Sequence, residues 1–510
     1  MSPKHFDWIA HHAYKTPEKL AVVDLGSDRQ INYQDFHRRI ECLASHLKEA
    51  AVARGDRVAV LALNCTDTLE VQFACGRIAA IFLPLNNRLS LDELVFIIDD
   101  ATPRILVCDA EFESMAGELA KRVPGMTILV TGPEQSYEAA IGVSRGLGEI
   151  EEVTHDDVST IMYTSGTTGR PKGAMITYGM NVWNAVNVSP VVGVAPDSVL
   201  LVTLPLFHTG GLNCYANPVF HAGGTVLVMR SFDAGQTLTL LTERKYGLSM
   251  YFGVPSNYLF MSQLAEFDSA RFDGLTGGCG GASMPVALIE QYRSRGLAIV
   301  QGYGMTETGP FVFCLGRKDA ARKVGSCGQL VLHTAVKIVG NDGAEVEPMA
   351  AGELWVQGPN ITKGYWNRPE ANQTSFKDGW FNTGDIVRSD REGYYYIVDR
   401  TKDMYISGGE NVYPAEVENA IFHLEGVADV AIIGVPDEKW GEIGQAFLVA
   451  KAGYALTISD VLAHCRSKLA RFKCPAIVTF VDELPRTATG KVHKPTLRAR
   501  TTSGVEQRAH

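Results

Sequence analysis

Tyr163-Thr-Ser-Gly-Thr-Thr-Gly-Arg-Pro-Lys-Gly173 packs four aliphatic hydroxyls (Thr164, Ser165, Thr167, Thr168), three glycines and two cations into eleven residues. It follows directly on Ser159-Thr-Ile-Met162, an apolar run that reads as the end of a strand. Glycines let backbone N–H groups approach an anion closely, hydroxyls add donors, and Lys172 adds positive charge. A loop of this chemistry, Gly166 and Gly169 included, suits a polyphosphate. It contains no GxxxxGK[ST], so it is not a Walker A loop. By itself it leaves kinases and other ATPases open, and the bland alternative is a solvated surface loop.

Upstream of this loop, from Arg57 to about Val130, short apolar runs alternate with longer amphipathic ones. Runs 58–63, 80–85, 104–109 and 126–130 predict buried strands, and the stretch 67–79 has helical spacing, so this part reads as βαβ with a parallel sheet. Downstream the same rhythm returns, with strands expected at 199–206, 225–230, 248–253 and 298–304. Between about Gly325 and Val398 the texture changes to short glycine-punctuated strands at 335–339, 352–358 and 393–399, an antiparallel or barrel-like section. The charged segment Arg400-Thr401-Lys402-Asp403 then precedes a smaller α/β unit. This places a domain boundary between 1–401 and 402–510. The rhythm alone gives a fold class and no chemistry.

A chain of 510 residues is too long for one ordinary core. Its 47 basic and 57 acidic residues give a formal charge of −10, which lends no support to nucleic-acid or anionic-membrane binding. Ten cysteines occur without a CxxC pair or a His-rich cluster, so reduced thiols in a cytoplasmic protein are expected rather than a disulfide frame or a zinc site. The opening residues lack the basic-then-apolar pattern of a signal peptide, and the apolar runs are shorter than the roughly 20 residues of a membrane helix.

Three further stretches carry chemistry. Gln301-Gly-Tyr-Gly-Met-Thr-Glu-Thr-Gly309 ends an apolar strand, and strand ends in open α/β sheets are where ligands sit. There Tyr303 offers an aromatic face for a base, Thr306 a hydroxyl, and Glu307 one carboxylate of the kind Mg²⁺ takes alongside phosphate oxygens. Phe381-Asn-Thr-Gly-Asp385 and Asp399-Arg400 offer a carboxylate for ribose hydroxyls and a guanidinium for the nucleotide. Pro485-Arg-Thr-Ala-Thr-Gly-Lys491 is a turn-rich segment presenting one lysine; read alone, it is an ordinary solvated side chain.

These four segments, in this order, resemble the adenylate-forming superfamily of acyl- and aryl-CoA synthetases, luciferases and peptide-synthetase adenylation domains. Leu83-Pro-Leu-Asn-Asn-Arg-Leu89, Leu204-Pro-Leu-Phe-His208 and Ser407-Gly-Gly-Glu-Asn-Val-Tyr-Pro414 extend the resemblance over nearly the whole chain. The fold it implies is α/β: a large N-terminal domain of two βαβ-type subdomains and a distorted β-barrel, plus a small mobile α+β C-terminal lid. It implies ATP, Mg²⁺ and coenzyme A as reactants and cofactor. Thr164, Ser165, Thr167, Thr168 and Lys172 would handle the β- and γ-phosphates. Tyr303 would contact adenine opposite Gly280, Gly281 and Ala282, Thr306 the α-phosphate, and Glu307 the metal. Asp385 and Arg400 would bind ribose, Lys402 would be the hinge, and Lys491, with His208 nearby, would serve the first half-reaction. Ser407, Gly408 and Gly409 would flank a pantetheine tunnel after the lid swings.

The resemblance frames the acyl pocket with Trp183, His208, Gly210, Gly211, Asn213, Val254, Pro255, Gly278, Cys279 and Met305. No lysine or arginine stands among them to pair a second carboxylate, so an apolar monocarboxylate is expected, fatty, aryl or alicyclic. The implied activity is carboxylate + ATP + CoA to acyl-CoA + AMP + pyrophosphate through an acyl-adenylate, with a homodimer entertained as assembly. The alternatives are loading of a carrier-protein thiol, luciferase-like oxygenation, and a non-catalytic nucleotide-binding protein. A dehydrogenase is disfavoured because Gly278-Cys-Gly280-Gly-Ala-Ser283 lacks the last glycine of GxGxxG. Tyr178, where many relatives carry His, and Cys327 and Cys474 depart from the usual pattern.

Overall fold

The computed structural model describes residues 2–143, 146–164, 171–282, 284–340, 342–400, 403–407, 410–487 and 490–501. A six-stranded sheet runs in the order Thr127–Thr131, Ile105–Asp109, Arg57–Leu61, Ile81–Pro84, Val158–Thr164, Lys172–Thr177. Its pairs are parallel except the last, so the strand that follows the phosphate-type loop, Lys172–Thr177, is the one that reverses. A nine-stranded sheet is built around parallel Leu20–Asp24, Thr225–Val228, Val199–Val202, Met250–Gly253, Thr276–Cys279 and Ile299–Gly304.

Burial explains why these strands read as near-continuous apolar runs. In Arg57–Leu61, Val58 and Val60 join a core shared with the nine-stranded sheet, while Ala59 and Leu61 join a separate core under the helix Leu91–Ala101. Successive side chains point to opposite faces, and here both faces are covered. The helix Tyr33–Glu49 contributes Tyr33, Phe36, Ile40, Leu43, Ala44 and Leu47 to the shared core, the spacing of one apolar stripe. Its start is fixed by Asn32, whose side chain accepts from the Asp35 N–H.

The section after Gly325 is an antiparallel sheet of five strands, Ala335–Val339, Ala351–Gln357, Trp380–Ser389, Phe376–Lys377 and Tyr395–Arg400. The smaller C-terminal unit has its own sheet, in which Val427–Asp437 and Gly441–Ala450 pair along their length. Helices Pro414–Phe422 and Ile458–Lys468 cover one face through Val417, Ile421, Val461 and Cys465, and Leu497 of the last helix covers the other. All ten cysteines are free thiols, most of them buried. Among the described residues no helix is long and apolar enough to cross a membrane.

One expected strand is cut short. The run 199–206 pairs only through Val202. Beyond it the backbone is taken by Asn64, whose amide donates to the Leu204 carbonyl at 2.9 Å and accepts from the Leu206 N–H at 2.8 Å. A side chain from the other sheet's side replaces the ladder, and the segment turns toward His208.

A buried ionic cluster ties the helix Tyr33–Glu49 to its neighbours. The Arg39 guanidinium donates to Glu70 at 2.6 Å and to Glu138 at 2.6 Å, and the Tyr137 hydroxyl donates to Glu70 at 2.8 Å. Glu70 is 0% exposed. Glu70→Ala leaves Arg39 short of its partner in a low-dielectric site, and should cost about 3–5 kcal/mol in denaturant unfolding. A loss below about 1 kcal/mol would show that solvent already reaches the cluster.

Candidate active site

The strand Ile299–Gly304 delivers Tyr303 to the sheet end, and its hydroxyl donates to Asp385 Oδ2 at 2.5 Å. Asp385 is 3% exposed and lies opposite Arg400 in the antiparallel register, so two strands bring the ribose candidates together. The Tyr303 ring lies 5.6 Å from Phe313, which stacks on Tyr395 at 4.0 Å. Gly304 permits the turn that follows: a Cβ there would sit 1.7 Å from the Pro310 carbonyl oxygen. The chain then folds Thr306–Thr308 into a short 3-10 turn with Thr306 and Glu307 both buried.

Glu307 is held from two sides. The Tyr365 hydroxyl donates to its Oε1 at 3.0 Å, and the Thr164 hydroxyl reaches the same oxygen at 3.4 Å. Tyr365 also lies under Lys172, whose Nζ is 5.3 Å from the ring centroid. Burial, followed by the charge of Glu307, raises the Tyr365 pKa well above the ordinary phenol value, so the phenol stays a neutral donor. The two described flanks of the phosphate-type loop, Thr164 and Lys172, thus meet the strand-end carboxylate. Tyr365 was missed by the motif reading. Its signal was available in Gly364-Tyr-Trp366, an aromatic pair beside a glycine between strands, but nothing in that spacing points to a carboxylate.

The donor set here is hard oxygen: one carboxylate and one aliphatic hydroxyl. That fits Mg²⁺, which binds through one or two carboxylates plus substrate and water. Among the described residues no group of three or more His, Cys, Asp or Glu is gathered to hold a metal without substrate.

The C-terminal unit reaches into this cleft. Thr487 and Lys491 close a turn, the Thr487 N–H donating to the Lys491 carbonyl at 2.7 Å and the Gly490 N–H to the Thr487 carbonyl at 2.9 Å. Gly490 has φ +80°, and a Cβ on it would meet Ser256 Oγ at 2.5 Å. Next to it, the Lys491 side chain extends over Gly281, its Cε 3.2 Å from where a Cβ of Gly281 would stand. Gly281 and Ala282 are exposed to the cleft, while Gly280 is packed beneath against the Gly302 carbonyl and Phe252. His208 caps the short helix Thr209–Leu212, its Nδ1 accepting from the Gly210 N–H at 3.0 Å, which leaves the proton on Nε2. Burial, aided by the Lys491 charge, pulls its pKa down to about 3, so the ring is neutral.

The acyl-pocket residues divide. Val254, Gly278 and Cys279 come together at the ends of neighbouring strands, over a floor of aromatic rings. Tyr215 and Phe252 lie 4.9 Å apart, Phe252 and Phe311 6.1 Å edge-on, and a Cβ on Gly278 would meet the Tyr215 hydroxyl at 2.5 Å. Trp183 lies against His333 at 4.8 Å, and Met305 packs on the antiparallel section's core. Two residues are redirected. Asn213 is 1% exposed, its amide donating to Asn181 at 2.7 Å and accepting from Thr209 at 3.3 Å, so its polar atoms hold helices together. Gly211 is small for backbone reasons, because a Cβ there would strike the Pro205 carbonyl oxygen at 2.3 Å.

Ser165, Gly166, Thr167, Thr168, Gly169, Lys402, Gly408 and Gly409 lie outside the described residues. Ser407 ends the strand Tyr405–Ser407, opposite Glu410 and Gly441, and Arg400 is placed by its strand register.

The sequence profile described as AMP-binding enzyme matches residues 9–366, and that described as AMP-binding enzyme C-terminal domain matches 416–491. Feruloyl-CoA synthase of an Amycolatopsis species is 41% identical, covering 97% of this chain and 98% of its own. Indoleacetate–CoA ligase of Aromatoleum aromaticum is 39% identical, covering 96% and 97%. The crystal structure of ATP-bound MatB from Rhodopseudomonas palustris superposes with a TM-score of 0.90 at 32% identity, covering 97% and 98%. The chain belongs to the AMP-binding enzyme family, and within it to the AMP-forming acid–thiol ligases, whose members use ATP and coenzyme A.

Proposed function

We propose that this ligase activates an aryl-substituted monocarboxylic acid as its acyl-adenylate and passes the acyl group to coenzyme A. The observation that carries the reading is the entry of Lys491 into the cleft over Gly281, where its charge also reaches His208. Two anions must meet when a carboxylate oxygen attacks the α-phosphorus of ATP and pyrophosphate leaves. A lysine ammonium at that point offsets the charge of the transferring group, and the remaining work is positioning. Bound at Glu307, Mg²⁺ would supply further positive charge to the phosphate oxygens. Tyr365 and Thr164 hold the carboxylate oriented for that task. Tyr303 lies along the base, Asp385 with Arg400 takes the ribose, and Lys172 with the Thr164–Gly169 loop takes the outer phosphates.

His208 acts as a neutral wall with one N–H donor, because a ring with a pKa near 3 carries no charge at neutral pH. The second half-reaction needs the space that Lys491 occupies. The lid, taken as residues 402–510, turns about Lys402, withdraws the lysine and brings Ser407 to Gly409 toward the thiol path. The coenzyme A sulfur then attacks the adenylate carbonyl carbon and AMP departs. The aryl choice rests on the aromatic floor of Tyr215, Phe252 and Phe311 and on the two relatives named for aryl-bearing acids. Cytoplasmic residence fits ten free thiols and the use of these cofactors.

AMP release from ATP and Mg²⁺ tests the reading, with a panel of cinnamic-type, arylacetic, alicyclic and fatty acids. AMP is expected only when an aryl acid and coenzyme A are both present, with a thioester product; equal turnover of long-chain fatty acids would overturn the aryl assignment. Lys491→Ala should slow adenylate formation by about 10²–10³ and leave thioester formation from supplied acyl-AMP intact. Equal loss of both half-reactions would remove the lysine from its assigned role. Tyr365→Phe removes a hydrogen bond to a charged group, a loss of about 1.5 kcal/mol or more. It should raise the KM for ATP roughly tenfold without slowing thioester formation from acyl-AMP, and an unchanged KM would reduce Tyr365 to packing.

A further inference from the structure

Away from the adenylation cleft, a cavity of about 270 Å³ lies between the segment Lys4–Trp8, the helix Thr66–Arg77 and the start of the helix Tyr178–Val192. Cavities of about 150 Å³ lined by apolar side chains hold a benzene ring, so this one has the volume for two fused rings. Its wall is aromatic. His5 lies 5.5 Å from Trp8 edge-on and 4.7 Å from Tyr178, and Phe73 completes the lining. Tyr178, which departs from the family's usual residue, is therefore part of this wall.

The wall carries no unmatched charge. Arg77 is spent on Asp7 at 2.7 Å and on the His37 carbonyl at 3.0 Å, and Lys4 pairs with Glu152 at 3.2 Å. Burial pulls His5 down to about 4, which keeps its ring neutral. A free carboxylate entering here would lose its hydration without gaining a counter-charge, so the acid substrate does not suit it. Two buried polar atoms of lining residues, Gln72 Oε1 and His5 Nδ1, lack a hydrogen-bond partner but have no surface open to the cavity, so what the wall offers a ligand is its ring faces. The N-terminal segment is strapped across the site rather than loosely laid, since the His5 N–H donates to the Val153 carbonyl at 2.9 Å and the His155 N–H to the Pro3 carbonyl at 2.8 Å. The exposed Phe6 and Ile150 stand at the rim.

We propose that this cavity is a second small-molecule site, taking a neutral planar compound of two fused aromatic rings. The rings lie against His5, Trp8, Phe73 and Tyr178. Gly76 supplies a clean way to close it: a Cβ there would have only ordinary contacts, 3.6 Å from the Tyr178 hydroxyl, so a larger side chain grows into the space without backbone strain.

Calorimetric titration of the full chain with 2-naphthol tests the proposal. Expected is one-to-one binding with a Kd of roughly 0.1 mM. Gly76→Leu should abolish 2-naphthol binding while the melting temperature and AMP release stay at wild-type values. Absence of binding to the wild type up to the solubility limit, or binding that survives Gly76→Leu, overturns the site. Should Gly76→Leu fail to fold, Trp8→Ala decides: removing one wall ring should weaken 2-naphthol binding about tenfold, and an unchanged affinity overturns the assignment.

Discussion

The contact between Gly490 and Ser256 governs everything else in the catalytic cleft. It is a backbone-to-side-chain approach with no space for a Cβ, at a φ that favours glycine. Through it the small domain sets the depth to which Lys491 enters, and the ammonium ends beside Gly281. A side chain at 490 would have to displace Ser256 Oγ, 2.5 Å from where its Cβ would stand. The Pro414–Phe422 helix adds one more tie across the boundary, its Ala415 N–H donating to Asp399 at 3.0 Å.

On the other side of the cleft the controlling feature is a buried carboxylate. Glu307 sits at 4% exposure, where an uncompensated charge would be expensive. Tyr365 and Thr164 keep it hydrogen-bonded, and Tyr365 connects it to Lys172 through its ring face. The strand that carries Thr164 is the point where the six-stranded sheet turns antiparallel. The segment between Thr164 and Lys172 therefore joins the two strands of a hairpin, whereas a Walker A loop joins a strand to a helix.

Much of this was legible in the sequence because the physics is local. A strand buried on both faces reads as a near-continuous apolar run; Ile81–Pro84 and Ile105–Asp109 fall within the expected runs, and Arg57–Leu61 overlaps its own from one residue earlier. The run at 199–206 misled for a nonlocal reason: Leu204 to Leu206 is as apolar as a strand, but its backbone partners come from the side chain of Asn64. Tyr365 escaped notice on the same ground, since its importance lies in what it touches 58 residues away. Asn213 shows the converse. A polar residue in a site motif invites a ligand role, whereas its amide is consumed by Asn181 and Thr209.

Glycine at the acyl pocket carries a related lesson about specificity. Gly278 does not leave an empty volume, because the Tyr215 hydroxyl already stands where its side chain would be. Counting small residues therefore overstates the room available to an acyl chain. The floor is closed by Tyr215, Phe252 and Phe311, rings that favour a flat partner over a long flexible one. A flat acid loses few rotatable bonds on binding, so aromatic contacts and low ordering cost act in the same direction. On the proposed aryl reading, specificity resides in the residues behind the motif glycines, one layer deeper than the motifs themselves, where the adenylation chemistry places no constraint on what the side chains are.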